Sequence, residues 1–169
     1  IISQDSHEIK KENHVEYISM MLIILVGLFL MSSSTNLLMM YLAVELVSIP
    51  SYILAGMNRT DKISNEASLK YVIFGSFASA LMLFGMSWLY GISGSTDIYT
   101  IHLALSSGEN SFLVYMSTLL IIVGFGYKIS MAPFHYWTPD VYEGSPTPVT
   151  AYFSIAPKAA GFAILIRTL

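Results

Sequence analysis

Residues 112–142 read FLVYMSTLLIIVGFGYKISMAPFHYWTPDVY, a run of 31 residues with little polar punctuation. As one helix it would be roughly 46 Å long at ~1.5 Å per residue, too long for a hydrocarbon core of ~30 Å. Pro133 and Pro139 also argue against a straight rod, because proline lacks the N–H and crowds the carbonyl four residues back. The pattern predicts a discontinuous helix, with 112–129 as one half and 134–142 as the other. The break then falls beside Lys128, near the midpoint of the run, and places an ammonium at mid-membrane.

Two more ionisable residues share this setting. Glu45 lies near the middle of the apolar run 37–57 and Lys158 at the centre of 148–169, with Pro50 five residues after the first and Pro157 immediately before the second. A charge at membrane depth costs at least a few kcal/mol, so chains that keep several generally use them to move ions or protons. Irregular backbone at that depth is tolerated only beside protein or water. Charge next to an interrupted helix is therefore the pattern of a transport pathway.

The rest of the chain supports a membrane reading. Its 169 residues are 54% hydrophobic and 11% charged, against about 25% charged in an average soluble domain. Mean hydropathy is +0.63. The expected fold is an all-α, polytopic membrane helical bundle of five transmembrane spans, about 17–34, 37–57, 66–90, 112–142 (broken) and 148–169. Residues 1–16 form a polar, water-exposed segment, and 91–110 read as a loop rich in Gly, Ser and Thr. A chain that opens at Ile1 with a polar stretch is unlike a signal peptide and reads as an internal portion of a longer polypeptide. Short-loop basic residues set the orientation. Lys10, Lys11, Arg59 and Lys62 fall on one side of a five-span alternation, and the other two connections have no Lys or Arg. The N-terminal segment is thus expected on the cytoplasmic side, and the sequon Asn58-Arg59-Thr60 is read as chance.

Several chemistries have no seat here. There is no cysteine for a disulfide, a thiolate metal site or an iron–sulfur cluster, and neither dinucleotide-binding nor P-loop glycine motifs occur. Proton chemistry does have candidates. Burial disfavours a charged lysine and a neighbouring carboxylate favours it, so a lysine whose carboxylate can approach or retreat takes up and sheds a proton. Glu45 and Lys128 are the natural pair, and Lys158 is the next station. The bland alternative is a static buried ion pair that orients helices. Lys70, early in the third span, can snorkel to the interface or join the relay. His135, just after Pro133, can relay protons or serve as a structural histidine. Asp140 and Glu143 are read as capping the turn into the last helix or as lining an entrance. Trp137, Tyr136 and Tyr142 are read as packing aromatics.

The run from Ala132 to Thr150, APFHYWTPDVYEGSPTPVT, resembles the hallmark of the antiporter-like subunits of NADH:quinone oxidoreductase, respiratory complex I. SIAPKAAGF at 154–162, YLAVELVSIP at 41–50 and EASLKY at 66–71 resemble the subunit N branch, which is related to mitochondrial and plastid subunit 2. The likeness covers nearly everything after residue 17, about a third of a family member. It implies the first of two inverted five-helix repeats, with Glu45, Lys70, Lys128 and Lys158 on the family's relay positions. By the same resemblance the chain is a proton-translocating subunit that carries no redox chemistry or cofactor itself. NADH, FMN, iron–sulfur clusters and quinone belong to the parent complex. The implied partners are other membrane subunits and the lipid bilayer, with no nucleic acid, in a bacterial inner membrane or an organellar one. The competing readings are a subunit of a multisubunit sodium/proton antiporter and a non-conducting scaffold.

Overall fold

The computed structural model describes residue 9 and residues 11–106 and 111–168, and all its regular elements are helical. A 3-10 turn at Lys11–Asn13 leads into α1 (His14–Ser33), α2 (Leu37–Ala55), α3 (Lys62–Ser93), α4 (Ile98–Leu105), α5 (Ser111–Lys128), α6 (Thr138–Gly144) and α7 (Thr147–Thr168). Four of these, α1, α2, α3 and α7, are long and apolar enough to cross a membrane, and α5 is a shorter apolar helix. The short helix α6 follows α5 after an irregular stretch at 129–137. The opening polar segment falls largely outside the described residues, as do residues 107–110 of the 91–110 stretch.

Local chemistry sets the helix ends. Asn36 caps α2 by accepting from the N–H groups of Leu38 and Met39 at 3.0 and 3.4 Å, and Asp61 caps α3 by accepting from Ile63 N–H at 3.1 Å. Gly94, with φ 68°, closes α3 in the left-handed region that glycine adopts without a steric penalty. The bundle has two distinguishable ends. At one, Leu37 N–H donates to Thr96 at 2.8 Å, Ile98 N–H donates to Thr35 at 3.0 Å, and Arg167 donates to the Ser32 carbonyl at 2.6 Å. At the other, Arg59 pairs with Glu16 at 3.3 Å, close to the α6–α7 turn.

Two features depart from the sequence reading. The stretch 91–110 is not all loop, because α4 forms within it. Asp97 caps α4 by accepting from both the N–H and the hydroxyl of Thr100 at 3.0 Å, which holds its carboxyl below the usual carboxylate range. Buried Ile101 anchors the helix to the bundle. Proline, secondly, interrupts less than its chemistry suggests. Both α2 and α7 run straight through Pro50 and Pro157. Each proline removes one ladder bond, at the carbonyls of Leu46 and Phe153, and the helical ladder resumes on either side. Around Pro50, Ser48 and Ser51 donate to the carbonyls of Val44 and Val47 at 2.7 and 2.6 Å.

Helices approach closely where side chains vanish. A Cβ on Gly85 of α3 would lie 2.7 Å from the Ser117 carbonyl oxygen of α5, and one on Gly124 of α5 would lie 2.5 Å from Met82 Cβ. The inner surface is further locked by aromatics. Tyr71 stacks on Trp137 at 4.6 Å and meets Tyr52 and Phe153 edge-on at 4.8 and 5.4 Å, joining α2, α3, α7 and the break. Outward faces stay apolar, with Phe29, Leu69, Phe77, Ile155 and Ile166 all exposed. A surface of that kind is stable against lipid rather than water.

Replacing Gly85 by Val should therefore force α3 and α5 apart. We expect a loss of about 1–3 kcal/mol, read as a lower unfolding temperature in detergent. Gly91→Ala, where an added methyl meets nothing within 4 Å and alanine favours the helix, should not lower that temperature.

Candidate functional site

The site is built around the end of α5. Met131 N–H donates to the Gly126 carbonyl at 2.8 Å and Ser130 N–H to the Tyr127 carbonyl at 3.1 Å, while Ser130 takes a left-handed φ of 58°. These two bonds and the left-handed residue make a Schellman ending. It stops the helix at Lys128, ahead of Pro133. The second half starts only at Thr138, with Pro139 in its first turn, where the missing N–H costs little. The intervening turn is pinned by Trp137 Nε1, which donates to the Tyr127 carbonyl at 3.2 Å.

Lys128, the last residue of α5, is only 4% exposed. Its Nζ donates to Ser48 Oγ of α2 at 2.9 Å, and the Ser48 hydroxyl donates onward to the Val44 carbonyl at 2.7 Å. Ser48 lies seven residues before the end of α2 at Ala55. That places the contact roughly 10 Å inside the bundle end at ~1.5 Å per residue. Glu45 is one turn away on the same face of α2, half-buried, and accepts a short hydrogen bond from the Ser79 hydroxyl of α3. Glu45 and Lys128 thus meet α2 on adjacent turns. Among the described residues the direct ion pairs are Arg59–Glu16, Lys70–Glu66 and Lys70–Asp140, and Glu45–Lys128 is not one of them.

Lys158, midway along α7, is half-buried, with Nζ 5.3 Å from the centre of the Tyr142 ring. The ring face attracts the ammonium by roughly 0.5–2 kcal/mol, depending on how dry the contact is. Lys70 is paired with Glu66 at 2.7 Å and with Asp140 at 2.6 Å. His135 is exposed on the break segment. The geometry therefore gathers Glu45 and Lys128 on one stretch of α2, sets Lys158 against the second half-helix, and puts Lys70 on the other side of that half-helix. Residue types alone did not single out Ser48, Ser79 or Tyr142. The available signal was spacing, since Ser48 falls three residues after Glu45.

The face of α6 toward α7 is polar and unsatisfied by protein. Thr138, Tyr142 and Ser145 fall at helical spacing, and each has a buried hydroxyl without a protein partner. Buried hydroxyls of this kind are normally satisfied by ordered water. Next to them a cavity of about 500 Å³ is lined by Asn58, Asp61, Tyr142, Glu143, Ser145 and Thr150.

Apolar outward faces, long apolar helices and a helix that ends at a buried lysine define a multi-pass membrane protein. The chain belongs to the family described as "NADH:quinone oxidoreductase/Mrp antiporter, TM", whose sequence model matches residues 34–169. It is 51% identical over 171 residues to NADH-quinone oxidoreductase subunit N 2 of Chloroherpeton thalassium, covering 99% of this chain and 33% of that protein. It is 46% identical over 154 residues to NADH-quinone oxidoreductase subunit N of Geobacillus kaustophilus, covering 91% and 31%. The chain spans about a third of the length of these relatives. Among solved structures, a chain of respiratory complex I from Thermus thermophilus with bound aureothin aligns with a TM-score of 0.78 at 39% identity, covering 88% of this chain and 33% of that one. A chain of the archaeal membrane-bound sulfane sulfur reductase aligns with a TM-score of 0.84 at 26% identity, covering 94% and 33%. One from the Mrp complex of Dietzia sp. DQ12-45-1b aligns with a TM-score of 0.78 at 25% identity, covering 88% and 28%.

If Ser48 holds the buried ammonium, Ser48→Ala should destabilise the protein by about 1.5–3 kcal/mol, the range for a hydrogen bond to a charged group. Lys128→Met should match or exceed the parent in the same detergent unfolding measurement, since a well-packed apolar side chain commonly replaces a buried charge without loss.

Proposed function

We propose that this chain is proton-carrying machinery of a subunit N of NADH:quinone oxidoreductase. Its Glu45, Lys128 and Lys158 move protons, while electron transfer to quinone proceeds in other subunits. The observation that carries the reading is the Lys128 ammonium, 4% exposed, held by a neutral serine with a carboxylate one turn away. Burial penalises an ammonium that faces only a hydroxyl, and a carboxylate within reach compensates. A lysine on a capped helix end can swing between the two along α2, a step of about one helical turn, 5.4 Å. Facing Glu45 the ammonium is held by an opposite charge, and facing Ser48 it has only a hydroxyl to offset its burial and is poised to pass its proton on.

Access to water fits the same scheme. The unsatisfied hydroxyls of Thr138, Tyr142 and Ser145 and the adjacent cavity offer a hydrated approach from the end that carries Arg59 and Lys62. By the distribution of basic loop residues that end faces the cytoplasm, in a bacterial inner membrane. Lys158 then passes the proton on, out of this part of the protein. The partners are other membrane subunits of the complex and the surrounding lipid. NADH, FMN, iron–sulfur clusters and quinone act elsewhere in the assembly.

A subunit of a sodium/proton antiporter is the second reading, favoured by the fold match to the Mrp complex. The higher identity to the complex I chain supports the first.

In the assembled complex, Glu45→Gln, Lys128→Met and Lys158→Ala should each cut proton uptake into inverted membrane vesicles by about ten-fold or more, on the order of 1.4 kcal/mol or more in barrier. The amount of complex in the membrane should stay the same. Lost assembly, with parent-like uptake per remaining complex, would instead make these residues scaffold. Uptake driven by a sodium gradient without NADH would select the antiporter reading.

A further inference from the structure

The half-helix α6 is seven residues long and has no side-chain cap at Trp137. A helix so short does not hold itself, because isolated helices below ~12–15 residues are marginal. Its position is therefore set from outside, and its two faces differ. One face carries Tyr142, whose ring receives Lys158. The other lies on α3 through three contacts in register. Tyr136, just before α6, meets Phe74 edge-on at 4.8 Å, Asp140 pairs with Lys70 at 2.6 Å, and Gly144 seats against Ile63 and Ala67.

The middle contact has an unusual feature. A carboxylate in a helix's first turn ordinarily serves the free N–H groups or the dipole there. Asp140 reaches sideways to Lys70 instead, and Glu66 one turn back on α3 keeps Lys70 aimed by a second ion pair at 2.7 Å. Partly exposed ion pairs contribute little to overall stability. Their fixed geometry is another matter. Between an aromatic contact on one side and a glycine contact on the other, this pair sets how far α6 is rotated about its own axis. Rotation decides whether Tyr142 faces Lys158.

We propose that Lys70 and Asp140 are positioning residues that act on Lys158 through α6: their ion pair fixes the half-helix and so holds the Tyr142 ring under the Lys158 ammonium. The inference rests on Lys158 being part of the proton path, and it assigns Lys70 a role outside the relay itself.

The test uses the full-length subunit in the assembled complex, with proton uptake into inverted vesicles expressed per complex. Asp140→Asn and Lys70→Gln should each slow uptake about five-fold, as small misplacements of a reacting group do. Tyr142→Leu should slow it similarly. Asp140→Asn combined with Tyr142→Leu should be no slower than the worse single variant, because both act through one contact. The exchange Lys70→Asp with Asp140→Lys should restore uptake to within about two-fold of the parent, since it rebuilds the same coupled pair. The proposal is overturned if the single variants pump at the parent rate, if the Asp140 and Tyr142 effects multiply, or if the exchange restores neither rate nor assembly. Parent-like uptake in Lys158→Ala would be a separate failure, of the functional reading itself.

Discussion

A lysine ammonium sits in the apolar interior with a serine hydroxyl as its hydrogen-bond partner, Lys128 Nζ to Ser48 Oγ at 2.9 Å, and much of the surrounding architecture follows from accommodating it. Such a group is costly to bury, and its neighbours must supply both room and fixed dipoles. Ending α5 at Lys128 supplies the room, because the side chain leaves from a helix terminus rather than from the middle of a packed helical face. Gly161 of α7 lets the Lys128–Ile129 corner nest against that helix, where a Cβ would lie 2.6 Å from Ile129 Cγ2. Rigidity comes from Tyr71, Trp137 and Tyr127, which tie the break to α3 and to the end of α5.

The half-helix α6 gives the site its asymmetry. Its α3 side is fully engaged, by an ion pair, an aromatic contact and a close glycine approach. Its α7 side carries hydroxyls that find no protein partner and the ring that receives Lys158. One short element thus separates a structural face from a wet one, over a distance that a continuous span could not divide so sharply. The same division governs the whole bundle. Apolar side chains point outward to lipid, and polar groups gather where helices end, break or approach over glycine.

Much of this was legible in the chain. A 31-residue apolar run with Lys128 near its centre could not cross a bilayer as one rod, and with Pro133 and Pro139 that length placed a broken helix beside the lysine. Other features were not. Pro50 and Pro157 look like breaks in isolation, yet α2 and α7 continue through them, because the effect of a missing N–H depends on what packs around the freed carbonyl. Helix α4 hid in a polar stretch because eight residues carry too little periodicity. Its formation depends on the Asp97 cap and on Ile101 finding a buried place. Asp140 read as a cap, but its partner, Lys70, is seventy residues away in the chain.

By itself the sequence determined the membrane class, the helical character and the interruption beside Lys128. Each of these rests on hydropathy, length and local backbone chemistry, which act within a few turns of chain. Only the tertiary structure decided which group each charge faces: Ser48 rather than Glu45 for Lys128, the Tyr142 ring for Lys158, Asp140 and Glu66 for Lys70. Those partners depend on helix rotation and register, which are fixed by packing between segments far apart in sequence and leave no short-range signature.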